Sequence, residues 1–386
     1  MDRTTSLDTA GSWRTAAAAT AVLGVVLGVF GSVGVLVGPL AAVYDVPRSQ
    51  VGLLFPAALA VHSLVARTAG RVLDRSGPRP LLGLAAVGMA AGPSVAAAAP
   101  TVWPAVAGYG LGVGVASGCA WVAATGVVSA AFQRRRAAAL GLLAAGPAAG
   151  GVVFAPVMAA LADAHGPWWT CLAVAALGGA TCAAGAVLLG GRRVACPGPV
   201  AAESGEPAPR RFLGAGLLAS LVVFVPVAHM AGNAETLGLS PEQGATLLAV
   251  VSAVSAATRL GAGWWATPAA LPSLYRGAHV LIAAAFGLWA LAESFALLLV
   301  VAALFGAGYG AWLSLGPAVL AASCAPGQLG RALGSLATVV GIGGVIGPVL
   351  AGHLLETAAT ALLTTCAISA LAAGLILTDL RRRELT

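Results

Sequence analysis

Lysine does not occur in these 386 residues: all 20 basic side chains are arginine, which removes any step that needs a titrating or Schiff-base lysine. Charge of either sign is scarce, at 9% of the chain, against a hydrophobic share of 59% and a mean hydropathy of +0.94. A chain folding in water with that balance would have too little polar surface to cover its core, so the soluble globular class is excluded. The six cysteines, Cys119, Cys171, Cys182, Cys196, Cys324 and Cys366, include no CxxC pair and no Cys/His spacing suited to a metal, and they read as reduced packing residues. The five histidines, His62, His165, His229, His279 and His353, form neither HxxxH nor HExxH. Glycine-rich runs such as 108–114 and 341–347 lie in apolar helices with no lysine after them, so they read as helix-contact surfaces and not as phosphate loops. No cofactor, no metal and no enzymatic constellation is expected.

What is present is a succession of long apolar blocks. Breaks at polar or Pro/Gly clusters predict twelve spans, at 15–43, 51–72, 80–100, 104–131, 137–162, 168–190, 212–233, 243–266, 277–292, 295–323, 332–354 and 357–379. The first block is too long for a signal-peptide core and reads as the first span. The connections alternate in charge. One side collects 17 arginines, among them Arg71, Arg75, Arg79, Arg134 to Arg136, Arg276 and Arg331, whereas the other has only Arg48 beside Asp45, Asp163, Glu235, Glu242, Glu293 and Glu356. By the positive-inside rule both termini and the middle loop are cytoplasmic. The net charge of +7 is thus topology information and gives no reason to expect nucleic acid. The hydrophilic stretch 191–211, rich in Pro, Glu and small residues, reads as a cytoplasmic linker between a bundle at 1–190 and a bundle at 212–386. The halves echo each other: Gly108-Tyr109-Gly110 recurs at Gly308-Tyr309-Gly310, Arg67 at Arg259, and Pro156 at Pro348, the last two pairs with a shared offset of 192 (259 − 67 and 348 − 156). Two related six-helix units with a site between them are the architecture of alternating access.

Between spans two and three lies Gly70-Arg71-Val72-Leu73-Asp74-Arg75-Ser76-Gly77-Pro78-Arg79. Gly70 and Gly77 permit close helix contact and a tight turn, Asp74 can cap a neighbouring helix end, and Arg75 and Arg79 hold the turn on the positive side. The pattern resembles the signature gating loop of the major facilitator superfamily. That resemblance implies an all-α membrane protein of twelve transmembrane helices in two pseudo-symmetric six-helix bundles. In the second half the equivalent stretch from Arg259 has Thr267 in place of the acid, so its latch is expected to be weaker. Phe132-Gln133-Arg134-Arg135-Arg136 with Gly141, Gly146, Gly150 and Pro156, then Val225 to Met230, then Gly308-Tyr309-Gly310, are similar to the corresponding regions of monocarboxylate transporters and oxalate/formate antiporters.

Two arginines fall inside spans, where an unpaired guanidinium costs at least about 2.5–3.5 kcal/mol. None of the 13 acids is predicted deep in a span, so a substrate carboxylate would supply the countercharge missing at Arg259. The alternative is that Arg259 snorkels to the membrane surface. By the resemblance, Arg259 matches the span-eight arginine of monocarboxylate transporters and Ser255 the acid or amide one turn earlier. His229 matches a cavity-facing position, and imidazole exchanges protons near neutral pH. Trp121 stands where a tyrosine is frequent, and Tyr309 and Trp312 either wall the pocket or simply pack. Arg67 is a further candidate for substrate contact. The function so implied is secondary active transport of a small organic anion, a monocarboxylate with proton symport, by a single chain in the cell (inner) membrane. The alternative is an efflux pump for a lipophilic drug or metabolite.

Overall fold

The computed structural model describes residues 9–191, 210–267, 269–324 and 327–376, with backbone alone at 231, 235, 241, 245 and 352–362. The linker expected at 191–211 falls almost wholly outside the described residues, as do Arg3 and the arginines at 192–193 and 381–383. Regular structure among the described residues is helical throughout. The first four crossings are α1 (Ala10–Tyr44), α2 (Arg48–Ser76), α3 (Pro78–Ala98) and α4 (Val102–Ala131). Helix Arg136–Leu189 then doubles back at Gly166, whose φ of 84° is a backbone state that side chains with a Cβ rarely adopt, with Pro167 beginning the return. It supplies α5 (136–165) and α6 (167–189). The second half comprises α7 (210–236), α8 (Pro241–Trp265), α9 (Leu271–Trp289), α10 (Phe295–Ser323), α11 (Leu329–Ala351) and α12 (Leu363–Leu375).

The last two helices follow one another within the helical run Leu329–Ile376, and contacts require the chain to reverse inside it. Ser220 Oγ donates to the Val339 carbonyl and Ser369 Oγ to the Leu218 carbonyl, each at 3.3 Å. In a straight helix residues 339 and 369 would stand roughly 45 Å apart, yet both touch nearly the same level of α7. Among the described residues ten helical runs are long and apolar enough to cross a membrane; the return of α6 and the return of α12 bring the crossings to twelve.

Local chemistry sets several boundaries. Ser240 and Gln243 cap each other reciprocally at the start of α8, with Pro241 in the first turn, and Gly77 at φ 75° with Pro78 separates α2 from α3. One boundary differs from expectation. Helix α9 begins at Leu271, not 277, so Arg276, read from sequence as a connection residue, lies inside the helix. Pro272 starts that helix without needing an N–H partner, and an arginine stem is long enough to belong to a span end while its head reaches the surface. Exposed tryptophans mark both membrane surfaces: Trp264 and Trp265 at the arginine-rich ends, Trp103 and Trp169 at the opposite ends. Helix α1 packs closely on α5, where a methyl group on Gly28 would sit 2.7 Å from the Gly150 backbone. The five described cysteines are buried, and none is in a disulfide.

Candidate substrate site and the seam beneath it

Two seams join the halves on the arginine-rich side. In the first, α2 meets α11. The Asp74 carboxylate crosses from one half to the other and accepts from the backbone N–H groups of Gly330 (2.6 Å) and Arg331 (2.9 Å), the free donors at the start of α11. Arg331 itself is 3.9 Å away and well exposed, so it adds little beside those two bonds. Higher up, Thr338 Oγ1 donates to the Ser63 carbonyl at 2.8 Å. In the second seam, α5 meets α8. A Cβ on Gly263 would lie 2.6 Å from the Ala137 carbonyl, and Trp13 of α1 stacks on Trp264 with centroids 6.0 Å apart. Bridging cysteines at Trp13→Cys and Trp264→Cys with a short bifunctional thiol reagent, in a background free of other cysteines, is expected to stop transport. A cleavable reagent should restore it on reduction.

The seams are related by the internal repeat, and their packing fixes its register. Gly70 lies against the Gly330 carbonyl and Gly263 against that of Ala137; Gly334 lies against the Ala66 carbonyl and Gly141 against that of Arg259. These pairs share one offset, since 263 − 70, 330 − 137, 334 − 141 and 259 − 66 are each 193. Arg259 therefore corresponds to Ala66, and the match of Arg67 with Arg259 at an offset of 192 is corrected. One residue is about 100° of helix rotation, enough to turn a side chain from an interface to a lipid or water face. Accordingly Arg67 is exposed, like its true counterpart Leu260, whereas Ala66 and Arg259 are buried. The same offset takes Asp74 to Thr267, which is exposed and accepts from the N–H of Ala270 in its own chain at 3.3 Å. Among the described residues the second seam has no carboxylate latch at that level.

It has a guanidinium instead, about two turns deeper. Arg259 is 9% exposed, and one terminal N–H donates across the seam to the Ala144 carbonyl at 3.0 Å. Its guanidinium carbon stands 5.6 Å from the centre of the Tyr309 ring, within cation–π range. Its Nε has no hydrogen-bond partner, and among the described residues no carboxylate lies within ion-pair distance. The snorkelling alternative does not hold, because the side chain is buried and tied inward. One neutral carbonyl and one ring offset only part of the cost of burying the charge, so the group retains unused capacity for an anion.

Around it, Ser255 sits one turn toward the acidic side, 2% exposed, with its hydroxyl unpartnered and its backbone pressed against Gly310. Tyr309 is stacked on Phe305 (5.5 Å, 10°) and edge-on to Phe224 (6.2 Å), which holds the ring facing the guanidinium. Arg259, Ser255 and Tyr309 thus form one cluster. The other candidates lie elsewhere. His229 Nε2 donates to the Pro348 carbonyl at 2.8 Å, tying α7 to α11. Counting 1.5 Å per residue from the helix ends, it stands roughly 20 Å from Arg259 in depth. Trp312 is 3% exposed inside the second half, and its indole N–H has no hydrogen-bond partner among the described residues. Trp121 is half-buried on α4. Arg75 and Arg79 are exposed on the arginine-rich face, the Arg79 stem covering Gly190 at the end of α6. The Ala144 carbonyl carried no sequence signal, since any residue can supply it.

A model of the major facilitator superfamily matches residues 18–270 and 211–385, which together take in nearly the whole chain. The chain belongs to the major facilitator superfamily. Human (Homo sapiens) monocarboxylate transporter 11 is 29% identical over 369 residues, covering 89% of this chain and 76% of that protein. The fujikurins efflux protein of Gibberella fujikuroi is 25% identical over 306 residues, covering 75% of this chain and 64% of that protein. Among solved structures, that of the human organic anion transporter MFSD10 (TETRAN) superposes with a TM-score of 0.77 at 18% identity, over 95% of this chain and 99% of that one. This facilitator is a multi-pass membrane transporter of small substrates, and it is not an enzyme.

Proposed function

We propose that this facilitator is a secondary active transporter of a small organic anion, a monocarboxylate in the first instance, moved by alternating access with proton symport. The observation that carries the reading is the buried Arg259 guanidinium, which has a free Nε, a cation–π ring and an adjacent unpartnered Ser255 hydroxyl, and no carboxylate within reach among the described residues. A carboxylate accepting a forked pair of bonds from Arg259, with Ser255 donating a third, would satisfy all of these groups at once. The relationship to monocarboxylate transporter 11 supports the same class. The arginine-rich face is read as cytoplasmic, with both termini there, the linker at 191–211 joining the two bundles, and the single chain as the working unit. On that reading the two seams are a gate shut toward the cytosol, and His229, whose Nδ1 is left free by the bond to Pro348, is the candidate proton carrier.

The test is uptake of labelled lactate, pyruvate and oxalate into proteoliposomes with and without an inward proton gradient. Saturable uptake that rises when the outside is acidified is expected. The competing reading, efflux of a lipophilic product, is supported by the relationship to the fujikurins efflux protein. It would be adopted if all three acids failed to enter and inside-out vesicles accumulated lipophilic compounds instead.

A further inference from the structure

A second cationic feature lies away from the transport path, on the outer surface of the second half. Two grooves flank α9 near its arginine-rich end. One, of about 740 Å³, runs between α8, α9 and α10 and is lined mainly by small residues such as Gly261, Ala262 and Ala311. The other, of about 240 Å³, runs between α9 and α12 along Leu371, Gly374 and Leu375. Ser273, Gly277 and Val280 line both, so the grooves meet across the narrow face of α9. They can meet because position 277 is glycine: a Cβ there would have nothing within 4 Å. Arg259 lines neither groove, which separates this feature from the transport cluster.

Arg276 lines the smaller groove, one residue before the shared Gly277. It is half-buried, and among the described residues its hydrogen-bond partners are neutral and on its own helix: Nε donates to the Pro272 carbonyl at 3.4 Å and one terminal nitrogen to Ser273 Oγ at 3.2 Å. Among the described residues no carboxylate pairs with it. The site therefore offers a cation and a hydroxyl at the membrane surface above two apolar channels that run side by side into the bilayer. A free anion would use the head but leave both channels empty. A second copy of the chain would fill the channels, yet a two-fold interface brings the same patch of both subunits together and sets Arg276 against its own mate. One class of molecule has a negative head and two apolar chains in that arrangement.

We infer that this face binds an anionic diacyl phospholipid of the leaflet on the arginine-rich side, with its phosphate on Arg276 and Ser273 and one acyl chain on either side of α9. Basic pockets between transmembrane helices are a general means of holding such headgroups. The bound lipid would pack the second half against the bilayer where α9 itself provides little bulk.

The experiment is lipid titration of the purified full chain in detergent, followed by native mass spectrometry and thermal shift, with phosphatidylglycerol, phosphatidylcholine, lyso-phosphatidylglycerol and inorganic phosphate as probes. Phosphatidylglycerol should bind roughly fivefold tighter than phosphatidylcholine and raise the unfolding temperature, while the single-chain lipid is weaker and inorganic phosphate has no effect. Arg276→Gln should abolish the headgroup preference while leaving phosphatidylcholine binding in place. Gly277→Leu, which fills the junction, should weaken both diacyl lipids. Equal binding of the two diacyl lipids by the native chain overturns the proposal, as does an undiminished preference in Arg276→Gln. A dimer in mild detergent that Gly277→Leu dissolves would assign the face to a second copy and overturn it as well.

Discussion

Replacing Arg259 by alanine is expected to lower the efficiency of carboxylate uptake by about a hundredfold. A charge-assisted hydrogen bond is worth about 1.5–3 kcal/mol, and losing a forked pair to an otherwise buried anion removes near the upper end of that range even after water partly replaces it. At 1.4 kcal/mol per decade, some 3 kcal/mol is the stated factor. Arg259 also holds the Ala144 carbonyl across the seam, so a loss of uptake alone does not prove contact with substrate. Arg259→Lys distinguishes the two roles. It keeps a cation that can reach a carbonyl but loses the planar fork, so a substrate-binding role predicts a raised half-saturation concentration with the maximal rate largely kept. A purely structural role predicts near-normal concentration dependence. Initial rates of labelled pyruvate uptake across a concentration series, with Arg259→Ala and Arg259→Lys side by side, decide it. Undiminished transport by the alanine variant would remove the anchor assignment.

The second large effect belongs to Asp74→Asn. The carboxylate accepts two backbone N–H groups at the start of α11, so the amide keeps one acceptor and turns an N–H₂ group toward a donor. The charge that favours the helix start is lost as well. A loss of about 1.5–3 kcal/mol from one conformation moves a two-state equilibrium by roughly ten- to a hundredfold toward the other. The seam at α2 and α11 should therefore open on the arginine-rich side. Spin labels at the exposed positions Arg75 and Ala322, one in each half, measure it: the native chain should give a single short distance and the Asn variant a substantial longer component. Thr267→Asp is the converse change. Its carboxylate would face the donors at the start of α5, as Asp74 faces those of α11, and should sharpen the short distance. An unaltered distribution in Asp74→Asn would show that the glycine contacts alone hold the seam.

The arrangement of the two seams explains why a facilitator can lose one acid without losing closure. In the first, the polar tie is a carboxylate near the surface; in the second, it is an arginine about two turns deeper, over the repeat position occupied by Ala66 in the first. The closing contact on that side thus uses the same guanidinium that is proposed to hold the substrate. Binding an anion at Arg259 would compete with the Ala144 carbonyl and loosen the seam, which is the coupling that alternating access requires.

Much of this was legible without coordinates. Twelve apolar blocks, the arginine asymmetry and the turn at Gly70 to Arg79 specify the class of fold, because lipid leaves a backbone few ways to satisfy its hydrogen bonds and the surface charges register which ends stay outside it. The cost of an arginine in a span likewise marked Arg259, together with Arg67, from the hydropathy pattern. The sequence could not say that Arg259 is equivalent to Ala66 and not to Arg67, because an offset of 192 or 193 reads almost equally well in a line of letters, whereas the contacts of Gly141 and Gly334 admit one register. Nor could it separate His229 from the cluster or bring in the Ala144 carbonyl, since depth along a helix and the proximity of a backbone oxygen depend on how separate helices cross. Hydropathy and charge act on each segment independently and so can be read segment by segment; which buried groups face one another is a property of packing between segments, and only the folded chain determines it.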